Sequence, residues 1–98
     1  MPAIGDAQIE RVRALVASIP SGRVATYGDI ATAAGLSSPR IVAWIMRTDS
    51  ADLPWHRVIT ASGRPAAHLA SRQLELLRAE GVVAPDGRVP LTRVRHSF

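Results

Sequence analysis

The groups in this chain that could do chemistry are three imidazoles, His56, His68 and His96, one phenol, Tyr27, and two indoles, Trp44 and Trp55, with no cysteine among the 98 residues. An absent thiol removes disulfides, thiolate metal sites and cysteine nucleophiles together. The histidine spacing does not suit a metal site, so neither a metal nor any other cofactor is expected. Trp55 cannot replace a thiolate, because an indole carbon or N–H is not a nucleophile at neutral pH. It can offer a broad apolar wall of high contact area. From Leu53 to Ser71 there is no Asp or Glu, so that stretch has no carboxylate for acid–base or nucleophilic work.

All twelve basic residues are arginine and the formal charge is +4. Guanidinium groups suit planar, two-pronged contact with phosphates and base edges. With 47% hydrophobic residues the chain has apolar material for one core, and a single domain over residues 1–98 is expected. No apolar run approaches the roughly 18 residues of a membrane span. Met1 to Glu10 lacks the blocks of a signal peptide. A soluble cytoplasmic protein, associated with the nucleoid when on DNA and making no membrane contact, is the expectation.

The elements that must position these groups are legible as periodicity and punctuation. Ile9, Val12, Leu15, Val16 and Ile19 recur at helical spacing in a segment beginning near Asp6 and ended by Pro20-Ser21-Gly22. Arg23-Val24-Ala25 reads as a short extended stretch. Thr26 and Asp29 have the spacing of a capping box opening a helix through Ala34, and Gly35 closes it. Ser38 can cap a third helix with Pro39 at its first position, running to about Arg47. The pair, about residues 26–47, has the outline of a helix-turn-helix. Arg57-Val58-Ile59 reads as a strand. A last clear helix begins at Ala70 or Ser71, with Leu74, Leu77 and Leu76 facing inward. Pro85-Asp86-Gly87-Arg88 reads as the turn of a hairpin before the basic tail Arg93-Val94-Arg95-His96.

Pro54-Trp55-His56-Arg57-Val58 resembles the Pro-Cys-His-Arg-Val signature of the O6-alkylguanine-DNA alkyltransferases, with Trp in place of the acceptor Cys, the mark of the alkyltransferase-like proteins. The family's order of elements extends the resemblance over roughly residues 6 to 83. It implies an α+β, mostly helical fold, a single small domain with a winged-helix-like helix-turn-helix. In Ile19-Pro20-Ser21-Gly22-Arg23-Val24-Ala25-Thr26-Tyr27-Gly28-Asp29-Ile30-Ala31, it gives Tyr27 the place of the residue that presses a phosphate and helps rotate the target nucleotide out of the duplex. In Ser38-Pro39-Arg40-Ile41-Val42-Ala43-Trp44-Ile45-Met46-Arg47, it gives Arg40 the place of the side chain that fills the vacated stack, with Ser38, Pro39 and Arg47 as further DNA contacts.

The same resemblance implies a lesion pocket, with motif and lid over residues 54–71, formed by Trp55, Pro54, Val58, Ser62, Gly63, Arg64 and His68. Either Arg64 or His68 supplies the basic lid residue. His56, Arg57 and Glu80 are expected as a hydrogen-bonded network under the pocket, with no thiol to deprotonate. Trp44, where relatives prefer a small residue, packs toward the first helix or stands as a wedge near DNA, packing being the expectation. Asp49 stands near the family's hinge Asn and suits local backbone hydrogen bonds.

The reading is thus a monomeric, non-enzymatic sensor. It binds double-stranded DNA containing O6-alkylguanine, flips that base, leaves the alkyl group in place and hands the lesion to nucleotide excision repair proteins. The alternative is a sequence-specific helix-turn-helix transcriptional regulator. That role would need base-specific contacts and usually dimerisation, and the third helix has no Asn or Gln to read adenine.

Overall fold

An acidic first turn and apolar residues at i, i+3 and i+4 make Asp6–Ala17 helix α1 in the computed structural model, which describes residues 5–98. Residues 1–4 of the unit read from the sequence lie outside the described range. The Gln8 side chain accepts the Gly5 N–H at 3.0 Å, which satisfies one of the donors a helix start leaves free. The chain then runs through strand β1 (Ala25–Thr26), helices α2 (Tyr27–Ala34) and α3 (Pro39–Thr48), strand β2 (Val58–Ile59), helix α4 (Ala70–Ala79) and the short helix α5 (Leu91–Val94). Three single turns of 3-10 helix, Trp55–Arg57, Ala67–Leu69 and Pro85–Gly87, lie between them.

Local signals set the helix-turn-helix. Thr26 Oγ1 accepts the Asp29 N–H at 3.0 Å while the Asp29 carboxylate accepts the Thr26 N–H at 3.1 Å, a reciprocal box that starts α2. Gly35 ends α2 at φ 72°, where a side chain would be strained. Ser38 Oγ accepts the Arg40 N–H at 3.1 Å, and Pro39 occupies the first turn of α3.

The two strands pair in parallel, Ala25 with Val58 and Thr26 with Ile59. This small sheet separates two cores, because successive residues of a strand point to opposite faces. Ala25 and Val58 join Val12, Val16, Ile19, Ile30, Val42 and Ile45 beneath α1, α2 and α3. Val24 and Ile59 join Leu77, Val82 and Val89 on the other face. Trp44 is half-buried against the first core, the packing expected of it.

Two readings are corrected. The Pro85-Asp86-Gly87-Arg88 turn is present as a 3-10 turn, but no hairpin flanks it. The apolar residues on either side spend themselves on the second core, and the tail continues into α5 and pairs with Val24. There the Val24 N–H donates to Val94 at 2.9 Å and Val24 accepts from His96 at 2.7 Å. On α4, Leu77 is buried and Leu74 packs on the second core, whereas Leu76 lies outside both cores. Gln73 takes the remaining inward position, because its amide has carbonyls to bond there.

The capping box gives a direct test. Thr26→Ala removes the acceptor for the Asp29 N–H and is expected to lower the unfolding free energy by about 1 kcal/mol in chemical denaturation. An unchanged midpoint would show that the box contributes nothing to the start of α2.

Candidate nucleic-acid interface

A cleft of ≈ 1000 Å³ opens between α3 and the segment that follows β2. Tyr27, Pro39, Arg40, Ala43, Met46 and Arg47 line it from the helix-turn-helix, and residues 48–52 line it from the loop that leaves α3. Trp55 and Val58 contribute from the motif, and Thr60, Ala66, His68 and Leu69 from the lid. The helix-turn-helix and the Pro-Trp-His-Arg-Val motif therefore face a common space. The indole lies beside two arginines and a phenol in that space, a combination that can stack on bases and bond phosphates.

Of the residues assigned from the sequence, Tyr27, Pro39, Arg40, Arg47, Trp55, Val58 and His68 line the cleft, and Ser38, Pro54, Ser62, Gly63 and Arg64 do not. Ser38 is engaged as the α3 cap. Ser62, Gly63 and Arg64 form a turn bound to the 86–89 segment behind the lid. Arg64 donates to the Asp86 carbonyl at 3.2 Å, Arg88 Nε to the Ser62 carbonyl at 2.9 Å, and the Val89 N–H to the Gly63 carbonyl at 2.8 Å. Gly63 is required there, since it holds φ 81° and a Cβ would stand 2.6 Å from the Val89 carbonyl oxygen. Of the two candidates for a basic lid residue, only His68 borders the cleft.

Tyr27 is half-buried. Burial pushes its phenol pKa up and nearby Arg47 opposes the rise. It is therefore a neutral O–H at physiological pH, a donor for a phosphate oxygen. Arg40 is exposed near the N-terminal end of α3, and among the described residues its guanidinium forms no ion pair.

Beside Trp55, His56, Arg57 and Glu80 meet. His56 Nε2 bonds Glu80 Oε2 at 2.7 Å; Arg57 Nε donates to both carboxylate oxygens at 3.0 and 3.1 Å, and its terminal nitrogen to Oε2 at 2.7 Å. Glu80 also accepts the Gly22 N–H at 3.1 Å, and Arg57 reaches the Ile19 carbonyl at 2.8 Å. The Arg57 hydrogen bonds, helped by His56 and Gly22 and opposed by burial, pull the Glu80 pKa down from 4.5 to about 2. With Glu80 ionised, His56 Nε2 carries the proton and donates.

Sequence reasoning missed Gln73. Its buried amide donates to the carbonyls of His56 at 3.0 Å and Val58 at 2.8 Å. Its place in an otherwise apolar helical stripe was the available signal: a buried amide must find partners. It also missed the loop acids Asp49 and Asp52 as cleft-lining residues, since only the folded chain brings α1 and this loop together.

The family model for the 6-O-methylguanine DNA methyltransferase DNA binding domain matches residues 7–82. The DNA base-flipping protein of Escherichia coli (strain K12) is 39% identical over 97 residues, which cover 91% of this chain and 74% of that protein. Alkyltransferase-like protein 1 of Schizosaccharomyces pombe is 39% identical over 74 residues, 68% of each chain. The crystal structure of S. pombe Atl1 in complex with damaged DNA containing O6-carboxymethylguanine superposes with a TM-score of 0.83 at 30% identity, covering 98% of this chain and 100% of that one. The Mycobacterium tuberculosis O6-methylguanine methyltransferase gives 0.66 at 31% identity, over 80% of this chain and 50% of that one.

The depressed Glu80 pKa is stability that titrates. A carboxyl at 4.5 when unfolded and about 2 when folded contributes fully above pH 4.5 and loses that contribution as pH falls toward 2, on the order of 3 kcal/mol in all. Glu80→Gln is therefore expected to be less stable than the parent at pH 6 and to approach it near pH 2. Thermal melts across that range check this, and a constant difference in Tm would show that the carboxylate charge is not the source.

Proposed function

Since the chain belongs to the family of the 6-O-methylguanine DNA methyltransferase DNA-binding domain, we propose that it is a non-enzymatic sensor of alkylated DNA. It binds the duplex through the helix-turn-helix, turns O6-alkylguanine into the cleft beside Trp55, and leaves the alkyl group where it is. One observation carries the reading: Trp55 borders a cleft shared with Tyr27 and Arg40, in a chain with no cysteine to accept an alkyl group.

Each role follows from chemistry at its position. Tyr27 donates its O–H to the phosphate of the target nucleotide and helps turn it. Arg40 enters the stack and covers the orphaned partner with its guanidinium plane. Pro39 and Ser38 hold the start of α3 against the backbone, and Arg47 adds charge. Trp55 and Val58 offer apolar surface to the flipped base, and His68 closes over it from the lid. Ser62, Gly63 and Arg64, with Pro54, act one step back, shaping the lid and the motif. Extrusion costs a few kcal/mol of unstacking, least for a base that already pairs poorly, so selection of O6-alkylguanine begins before the cleft is reached.

The protein acts as a monomeric single domain. A lesion held and not reversed needs a successor, and nucleotide excision repair proteins are the proposed recipients. The regulator reading is disfavoured by a third helix without an adenine-reading amide.

The test is the affinity of the protein for matched duplexes carrying guanine or O6-methylguanine, with the recovered DNA assayed for retained methyl. Tighter binding to the lesion with the methyl intact is expected. Equal binding would reduce the protein to a general DNA-binding domain, and methyl loss would make it an enzyme. Arg40→Ala should weaken lesion binding by roughly 5- to 150-fold, the range that losing one stacked base contact of about 1–3 kcal/mol implies. Trp55→Ala should erase the preference for the lesion while leaving affinity for undamaged duplex largely intact. A retained preference would remove the indole from recognition.

A further inference from the structure

Two carboxylates stand where a polyanion is proposed to bind. Asp49 and Asp52 line the cleft alongside Arg40 and Arg47, so the two ion types of the wall cancel unless another charge intervenes. That charge comes from outside the cleft. Arg13, on α1, donates one terminal nitrogen to the Asp49 carbonyl at 2.7 Å, to Asp49 Oδ1 at 3.3 Å and to Asp52 Oδ1 at 3.0 Å, and the other to Asp52 Oδ2 at 2.5 Å. The Arg13 side chain is 19% exposed while the two carboxylates are 57% and 65% exposed; the cation is sheltered behind the anions it holds.

The same grip fixes a loop. Asp49 is the residue at which α3 stops, its N–H still bonded to the Ile45 carbonyl at 2.8 Å, and the chain from there leads within a few residues to Trp55. Ser50 Oγ bonds back to the Met46 carbonyl, the Leu53 N–H to Ser50 at 2.9 Å and the Trp55 N–H to Leu53 at 2.7 Å. A guanidinium on the Asp49 carbonyl also sits where the helix dipole favours a cation.

We infer that Arg13 is a positioning residue for DNA recognition, which offsets part of the negative charge of Asp49 and Asp52 toward approaching phosphates and pins the loop that connects the third helix to Trp55. This rests on the DNA-binding reading above. The acids are functional as half of a latch: they tie the loop to α1, and Arg13 weakens their repulsion of the duplex. Unpaired carboxylates within a Debye length of about 10 Å of a phosphate would oppose binding, most strongly at low salt. The Asp52 carboxyl is held below its ordinary range, first by the Arg13 hydrogen bond, so it stays charged throughout the physiological range.

Arg13→Gln (R13Q), alone and combined with Asp49→Asn and Asp52→Asn, separates the two parts. R13Q is expected to bind duplex DNA about tenfold more weakly at 50 mM salt, with the deficit narrowing at 200 mM as screening grows. The triple variant should recover most of that loss, because the repulsive carboxylates are gone. In the free protein, backbone amides of residues 49–53 should exchange faster in R13Q, measured by hydrogen exchange. R13Q binding like wild type, or a triple variant as weak as R13Q with an unchanged Tm, would overturn the neutralising role. Unchanged exchange over residues 49–53 would overturn the anchoring role. If the wild-type protein binds no duplex while R13Q still loosens the loop, the DNA-sensor reading falls and Arg13 remains only a loop anchor.

Discussion

A single carboxylate, Glu80, ties together three stretches of chain. It receives hydrogen bonds from Gly22 in the turn after α1, from His56 and Arg57 in the motif, and it sits where α4 stops. Its side chain is 13% exposed, so the charge would be costly without partners. The Arg57 fork and two other donors, His56 and the Gly22 N–H, remove that cost, and Arg57 spends its remaining nitrogen on the Ile19 carbonyl. Among the described residues no buried side-chain polar atom lacks a partner, so this ionic centre is complete and resists rearrangement. Gln73 then fixes the motif from the other side by binding the carbonyls of His56 and Val58. With the backbone of residues 56–58 pinned on two sides, Trp55 has little freedom except to border the cleft.

The sheet carries this order to the helix-turn-helix. Val58 leaves the motif and pairs with Ala25, and Thr26, the next residue, caps the helix that begins with Tyr27. Indole and phenol are thus registered against each other through two strand pairs and one capping box. The tail reinforces the same point: Arg95 makes a two-pronged pair with Asp29, at 2.7 and 2.9 Å, and Asp29 is the acid of that capping box. Residues 83–98 lie beyond the family-model match, yet they brace α2 through Asp29 and the lid through Arg88 and Val89.

What was legible in the sequence was local. Thr26 with Asp29, Gly35, and Ser38 with Pro39 delimit α2 and α3 because a cap and its partner lie within a few residues of each other. The His56, Arg57 and Glu80 network was legible only through the resemblance, since 23 and 24 residues separate the motif from its carboxylate. The misread features are governed by distant partners. Val82 and Val89 looked like hairpin strands because their burial against Leu77 cannot be read from alternation. Gln73 lost its inward place to Leu76 because an amide reads as polar until its carbonyl acceptors are known. Arg13 lies 36 residues from Asp49 and 39 from Asp52, and in one dimension it is only a charge on an exposed helix.

The network beside Trp55 also explains how a site framed like a reactive one can serve recognition. A base that is to accept a proton must be left underbonded on the side that faces the reaction. Here Glu80 is ionised well below neutrality and saturated by Arg57, and His56 donates its Nε2 proton to it while its ring meets the Trp55 indole edge-on, centroids 6.2 Å apart. Proton-transfer groups are therefore committed to structure, and what faces the cleft from the motif is apolar surface. Such a surface gains from holding a base still and has no bond to offer it. Under the proposed reading the absence of reaction follows from the missing thiol, and the same bonding that would have served it goes into rigidity: the more completely Glu80 is bonded, the more rigid the wall that Trp55 presents.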